Sequence, residues 1–337
     1  MTSTTDAAAA TGRTGPALPL PRGPLSEALV TALRAGPPGR FPVDGFAPAD
    51  PLGEDFQLAL HVCYELHYQG FQGVDPDWEW EPGLLELRAA LERPFLAALR
   101  EAVPGGDDVA AALDELLVEP VDARGVSHFL QDEGAWWQLR EYLIHRSIYH
   151  HKEADPHAWL IPRLRGQAKA SLVAVEFDEY GGGHGARMHS RLYADLMDET
   201  GLDTGYLAYL DAVPAVMLAT VNMMSLFGLH RSLRGAMAGH FAAAEITTAP
   251  SARRMARALE RLGAGPRATL FFTEHIEADA VHEQVLRRDV LGDLLRGEPE
   301  LAADVVFGVQ ATGFLEDRLG DHLLGSWAAG RSRELRP

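Results

Sequence analysis

Three side chains near the C-terminus of the sequence have the types and the spacing of a metal site. Asp279 and His282 follow His275 at offsets of 4 and 7 residues. At about 100° per residue, these offsets place all three side chains on one narrow stripe of a helix. Two imidazoles and a carboxylate that converge on one point are suitable ligands for a first-row metal ion. The alternative interpretation is a polar helix face whose acids and histidines are solvated.

Two further segments carry acids among apolar residues, where an unpaired carboxylate is costly. Glu179 ends an apolar stretch just before a glycine run, and His189 stands in the next helical stretch. A helix broken at the glycines would direct both side chains inward. Glu245 stands among alanines and requires a partner, for which a metal ion and Arg234 are the two candidates.

Composition and charge exclude several classes of protein. The chain has 48 Asp and Glu against 30 Lys and Arg, a formal charge of −18, which repels nucleic-acid backbones. Its single cysteine, Cys63, excludes an intramolecular disulfide and fits a reducing cytoplasm. The apolar run at 212–229 is interrupted by Pro214 and Asn222, which favours a buried core helix over a membrane span. We therefore predict a cytoplasmic protein that binds neither nucleic acid nor membrane.

Periodic apolar patterns separated by proline and glycine predict an all-α fold, and no segment shows the sustained alternation of a strand. Residues 1–40 are predicted to be a disordered or loosely packed lead-in with one short helix at 26–34. Residues 41–330 are predicted to form a single helical domain, followed by a tail at 331–337. Helices are predicted at 54–71, 83–102, 107–117, 133–151, 156–179, 186–199, 214–227, 231–247, 251–262, 273–291 and 298–324.

These residues resemble those of the haem-oxygenase-like diiron oxidases, which are also described as iron-containing redox enzymes. The similar stretches, within residues 45–330, are Glu179-Tyr-Gly-Gly-Gly, Arg187-Met-His189, Cys63-Tyr-Glu-Leu-His-Tyr and Ser225-Leu-Phe-Gly-Leu-His-Arg. The resemblance implies a haem-oxygenase-like bundle of about seven core helices plus extra N-terminal helices. Such a bundle binds a pair of irons instead of haem.

The family pattern is a Glu and a His on one core helix, a later Glu, and a final His-x3-Asp-x2-His. Carried over to this sequence, the pattern implies the metal ligands Glu179, His189, Glu245, His275, Asp279 and His282. A ferritin-like site would instead need two Glu-x-x-His motifs, and the sequence contains none.

The sequence departs from the family pattern at two positions. Many members place the first Glu where this chain has Gly182, so Glu179 is a ligand only if the glycine run interrupts the helix, and Glu176 is the fallback. Some members carry another Glu at the position of Ala186, and its loss implies a second iron that binds weakly or only with substrate. Glu65 is a further candidate, as an outlying ligand or a hydrogen-bond partner, although a surface or core-paired role is an equal alternative.

The resemblance implies a dioxygen-activating, non-haem diiron enzyme with two Fe(II) ions as cofactor and O2 as co-substrate. The resemblance also implies that the substrate is a small amino acid, an amine or a fatty acid, and that the enzyme N-oxygenates, hydroxylates, desaturates or cleaves it. We predict a small amino-acid-like substrate in specialised metabolism, an external electron donor and a homodimer, and no catalytic residue is assigned besides the ligands. The alternatives are a fatty-acid-type substrate, a haem-binding or haem-degrading protein that uses His61 or His67, and a non-catalytic metal-binding module.

Overall fold

The computed structural model describes residues 15–38, 50–120 and 123–331, and within these ranges the regular structure is helical, without a strand. The prediction of an all-α fold is confirmed. The helices in chain order are α1 (Pro24–Ala35), α2 (Glu54–Glu65), α3 (Pro82–Ala102), α4 (Val109–Leu117), α5 (Val126–Asp132), α6 (Trp136–His150), α7 (Asp155–Ala158), α8 (Gly166–Glu179), α9 (His189–Glu199), α10 (Ala215–Leu229), α11 (Arg234–Arg261), α12 (Pro266–Gln284), α13 (Gly292–Gly297) and α14 (Ala302–Ala328). A π-helical segment, Val285–Leu291, joins α12 to α13.

Helices α10 and α11 form the centre of the described fold. Helix α10 is apolar on all sides and nearly every residue in it is buried, since it packs against α2 and α14. This burial confirms that the apolar run is a core helix. Helix α11 packs along both α12 and α14. Among the described residues, no helix is long and apolar enough to span a membrane.

Helices α11 and α14 approach each other at two glycines. A Cβ atom on Gly308 of α14 would lie 1.9 Å from the carbonyl oxygen of Ala236, and one on Gly239 of α11 would lie 2.1 Å from that of Val305. Both distances are far inside van der Waals contact. The small residues therefore allow the two backbones to pack directly against each other, which fixes the position of α11 and its Glu245.

We expect Gly308→Ala to lower the free energy of unfolding by about 3 kcal/mol, because the added methyl group forces α11 and α14 apart. Gly313→Ala on the same helix is the matched control, because a Cβ atom there meets nothing within 4 Å. The control should raise stability by up to about 1 kcal/mol, the helix propensity gained over glycine. Urea denaturation measures both values, and equal effects of the two substitutions would contradict the close packing.

Several predicted helix boundaries are corrected by the structure. Helix α11 runs without interruption through Pro250, where two separate helices were predicted. Buried residues on both sides of the proline, Ile246 and Ala252 among them, stabilise the helix by more than the roughly 3 kcal/mol that proline costs. The helix predicted at 156–179 is divided into α7 and α8, because a 3-10 turn (Ile161–Arg163) and two extended residues, Leu164 and Arg165, lie between them. Helix α5 was not predicted at all.

The short helix predicted at 26–34 is α1, and it belongs to the folded body. Leu25, Leu29 and Leu33 are buried in the core, and Asp55 of α2 accepts hydrogen bonds from the backbone amides of Leu25 and Ser26. Residues 24–35 are therefore packed. The predicted boundary at residue 40, residues 1–14 and most of the predicted tail lie outside the described residues.

Candidate metal centre

Buried carboxylates and imidazoles from five segments converge into two adjoining groups. Site 1 consists of Glu153, Glu179, His189 and His275, with one ligand atom of each within 4.8 Å of the others. Site 2 consists of Glu179, Glu245 and His282 under the same distance limit. Glu179 belongs to both sites. Each group could hold a metal ion, and its ligand atoms would include the carboxylate of Glu179 in both cases.

The glycine run brings Glu179 and His189 together. Helix α8 ends at Glu179 and α9 begins at His189, and Gly181, Gly182 and Gly183 between them all have positive φ. A Cβ atom on Gly181 would lie 2.6 Å from the backbone of Arg187, so only glycine fits this turn. Glu179 Oε2 lies 2.8 Å from His189 Nδ1 as a result. The interruption of the helix that Glu179 needs in order to lie beside His189 is therefore present.

Site 2 joins α11 to α12. His282 Nδ1 lies 3.2 Å from Glu245 Oε2 and 3.7 Å from Glu179 Oε1. Its Nε2 lies 3.3 Å from Asp178 Oδ2. The alternative partner of Glu245, Arg234, is paired with Glu298 instead. Of the two partners considered for Glu245, the structure therefore excludes the arginine.

The pKa of His282 predicts how metal binding depends on pH. Burial alone would lower this pKa from 6.5, but the hydrogen bond and negative charge of Glu245, with the charge of Glu179, outweigh burial and raise it to about 9. A metal ion must displace this proton, because only neutral imidazole is a ligand. We therefore expect the affinity for Fe(II) to rise about tenfold per pH unit below pH 9.

Anaerobic calorimetry between pH 6.5 and 8.5 measures this dependence, together with the protons released. Because the folded pKa is raised, the proton on His282 stabilises the iron-free protein fully below pH 6.5, and that contribution is lost as the pH rises through about 9. Thermal unfolding of the iron-free protein should show this loss. An Fe(II) affinity that does not change with pH would contradict the assignment of His282 as a ligand.

Unsatisfied polar atoms at site 1 fit a bound cation. His189 Nδ1 and Glu153 Oε2 are buried and make no hydrogen bond, although Nδ1 faces a carboxylate oxygen. A buried polar atom without a partner is costly, and a metal ion between these atoms would satisfy both. A mixed set of imidazole and carboxylate ligands without thiolate suits iron or manganese. The residues present therefore fit iron.

Glu153 is a site residue that the sequence did not reveal. It follows α6 in a turn where Ala154 has a φ of +77°, and its Oε1 lies 2.9 Å from His150 Nδ1 and 3.6 Å from His275 Nε2. Burial would raise its pKa, but His150 and His275 outweigh burial and hold the pKa well below the usual range. The sequence feature that could have indicated Glu153 as a ligand is its position directly after a histidine-rich helix.

Around Glu153, His150, His151 and His157 follow His145 at offsets of 5, 6 and 12 residues. These offsets do not place the four side chains on one helix face and so predict a surface cluster, and this prediction is wrong. His145 and His157 are buried, while His150 and His151 are half-buried. The reason is that α6 packs against both α9 and α10, and that α7, which carries His157, also packs against α10. The angular offsets of these residues did not indicate this.

The other predicted site residues have different positions. Glu176 is buried and neither carboxylate oxygen makes a hydrogen bond. Burial, with the nearby charges of Glu179 and Glu245, raises its pKa to about 9, but it belongs to neither group of ligands. Asp279 lies on α12, and its side chain is outside the described residues. Glu65 is fully buried and accepts hydrogen bonds from Lys152 Nζ and the Tyr206 hydroxyl, both at 2.7 Å.

We expect Glu65→Ala to lower the free energy of unfolding by about 3–5 kcal/mol, because it leaves the ammonium group of Lys152 buried and unpaired. Glu65→Leu combined with Lys152→Met removes both charges and should be much milder, within about 1–2 kcal/mol of the unchanged protein. Chemical denaturation compares the two variants. If Glu65→Ala alone left the free energy of unfolding unchanged, the buried ion pair of Glu65 with Lys152 would not contribute to stability as these contacts indicate.

A cavity of about 410 Å3 opens beside both sites. Its lining includes Glu153, Glu179 and His275 of site 1 and Glu245 of site 2. Apolar residues Met224, Phe241, Phe271 and Phe272 and polar residues Arg146, Tyr149, His240 and Glu316 complete much of the wall. His240 and Glu245 both line this cavity, although they are five residues and about 140° apart on α11.

The two histidines considered for haem binding do not line this cavity. His61 Nδ1 lies 3.2 Å from Asn222 Oδ1, and His67 is held between Glu79 and Arg88. Both rings therefore have protein partners of their own.

The sequence matches a known family over the part of the chain that holds these sites. No curated protein matches the chain. The family model described as iron-containing redox enzyme matches residues 140–317, more than half of the 337 residues. The matched range includes every residue of sites 1 and 2. The chain therefore belongs to the iron-containing redox enzyme family, and it has the role of an iron-dependent oxidoreductase.

Proposed function

We propose that the protein is a non-haem diiron oxidase or oxygenase that uses O2 to oxidise a small amino-acid-like substrate. The observation that carries this proposal is the shared carboxylate of Glu179, which joins two buried groups of ligands beside one cavity. A pair of iron ions, when bound there, would supply the electrons that activate O2. The protein supplies the positions, the charges and the dry surroundings.

The charges of the two sites favour two divalent cations over one. Glu153, Glu179 and Glu245 bring three carboxylates into a buried region, more than a single catalytic ion with three protein ligands requires. His189, His275 and His282 add three nitrogen ligands. A second cation would offset the repulsion among the acids, which burial otherwise makes costly.

The cavity wall supports a small polar substrate. Arg146 and Glu316, which form an ion pair with each other, both line it and give this part of the wall a polar surface. Burial lowers the pKa of His240 to about 4, so its ring is neutral near pH 7, and its Nε2 makes no hydrogen bond. Burial, then the charges of Glu153 and Glu179, raises the pKa of Tyr149, so this phenol keeps its proton and can donate it in a hydrogen bond.

The test is anaerobic titration with Fe(II), followed by a pulse of O2 in the presence of amino acids, amines or fatty acids and an external reductant. We expect binding of about two Fe(II) per chain and O2 consumption that one class of substrate accelerates. A single bound Fe(II), or O2 consumption that no substrate changes, would favour a metal-binding module. Tight binding of hemin with a shifted Soret band would instead favour the haem-binding alternative.

A further inference from the structure

A second cavity lies at the far end of α8 from the metal centre. It has a volume of about 540 Å3 and forms where the loop before α8, the turn between α10 and α11, and α13 meet. Helix α8 has 14 residues, so its Gly166 end lies about 20 Å along the helix axis from Glu179. This cavity is separate from the proposed iron sites and does not depend on them.

Positive charge is concentrated around this cavity. Five arginines and two acids line it, so the lining has a net charge of about +3. The charged lining residues are Arg163, Arg165, Arg231, Arg234, Arg296, Asp293 and Glu298. The chain as a whole carries a formal charge of −18. A local excess of the opposite sign inside a concave surface focuses a positive potential that attracts anions.

The two acids are already engaged. Glu298 is paired with Arg234. Asp293 Oδ1 accepts a hydrogen bond from Arg296 at 3.0 Å, and its Oδ2 accepts one from the backbone amide of Ala168 at 3.0 Å. Neither acid is therefore available to neutralise the remaining arginines.

The remaining three arginines have no carboxylate partner in the described part of the chain. Arg163 donates hydrogen bonds to the carbonyl oxygens of Gly228 and Leu229, and its pKa is lowered by burial and then by the charge of Arg231. The side chains of Arg165 and Arg231 are exposed and make no hydrogen bond or ion pair with a described residue. Three guanidinium groups without a carboxylate partner line one cavity, which favours an anionic ligand.

We propose that this cavity binds the phosphoryl group of a small molecule, as a phosphate monoester or a diphosphate. Guanidinium groups donate paired hydrogen bonds to phosphate oxygens. A phosphate monoester has a charge near −2 and three acceptor oxygens, which match three unpaired arginines better than a single carboxylate does. The cavity is concave, as sites for small ligands are, and its volume leaves room for an organic group beyond the phosphate.

Calorimetric titration of the full chain with inorganic phosphate and pyrophosphate, at a constant ionic strength of about 0.15 M, tests this proposal. We expect saturable binding of pyrophosphate, weakened about tenfold or more by Arg165→Ala combined with Arg231→Ala. The matched control is Arg253→Ala with Arg257→Ala, two exposed arginines of α11 outside this cavity. The control removes the same charge and should leave the affinity unchanged.

The fold should tolerate the test variant, because Arg165 and Arg231 make no described side-chain contacts that folding requires. Arg165→Lys with Arg231→Lys keeps the charge but loses the paired hydrogen bonds, and we expect intermediate binding. Absence of saturable binding of both anions would overturn the proposal. Equal weakening in the test and control variants would also overturn it, because only the net charge would then matter. The iron content of each variant is measured separately, so that failure here is distinct from failure of the proposed iron sites.

Discussion

Replacing Glu179 by alanine is expected to abolish iron binding at both sites, because its carboxylate belongs to both groups of ligands. Loss of a hydrogen-bond partner behind a metal ligand already costs about 10- to 100-fold in affinity. We therefore expect loss of a shared ligand to weaken Fe(II) binding at each site by at least about 100-fold. Anaerobic titration with Fe(II) and metal analysis after desalting measure the effect.

Glu176→Ala is the matched control for this prediction. Glu176 is a buried acid on the same helix, nearly one turn before Glu179, and its raised pKa keeps it protonated near pH 7. We expect this variant to keep its iron. If Glu176→Ala lost iron and Glu179→Ala retained it, Glu176 would be the ligand in place of Glu179. The assignment of Glu179 to both groups of ligands would then be wrong.

Glu153→Gln should remove iron from site 1 alone. The amide keeps the size of the side chain but loses the charge and one ligand oxygen, while Glu179, Glu245 and His282 of site 2 are unchanged. We expect the iron content to fall from about two ions per chain to about one, and O2-dependent turnover to fall at least about 100-fold. Metal analysis and O2 consumption on the same preparation measure both quantities.

The control for Glu153 is Glu141→Gln, another buried acid of the same region. Glu141 lies on α6 and accepts a hydrogen bond from Trp327 Nε1 at 2.9 Å, which a glutamine oxygen can also accept. This variant should bind iron normally. Full iron content in Glu153→Gln would show that Glu153 is not a ligand, and the convergence seen in the structure would then be only an electrostatic pairing with His150 and His275.

The predicted ligands that the structure brings together are those for which the sequence gives a local reason. His275 and His282 stand two turns apart on one helix, so their common face follows from helix geometry alone. Glu245 was a candidate because a carboxylate among alanines requires a partner. The break between Glu179 and His189 was indicated by the glycines, because only glycine adopts positive φ without strain.

Residues whose role depends on distant packing were not predicted. Glu153 lies in a turn, and only the packing of α6 against α9 and α10 places it beside His275. The role of Glu65 was left open between an outlying ligand, a hydrogen-bond partner, a surface residue and a core-paired residue, because its partner Lys152 is 87 positions away along the chain. The continuity of α11 through Pro250 also depends on tertiary burial, which outweighs the local preference of proline to end a helix.

The central claim is that two iron ions share Glu179. Diffraction from iron-loaded crystals, measured at the iron absorption edge, tests it most directly. We predict two anomalous peaks about 3.5–4 Å apart, one within bonding distance of Glu153, His189 and His275 and the other of Glu245 and His282, with Glu179 reaching both. A single peak, or peaks away from these residues, would contradict the account.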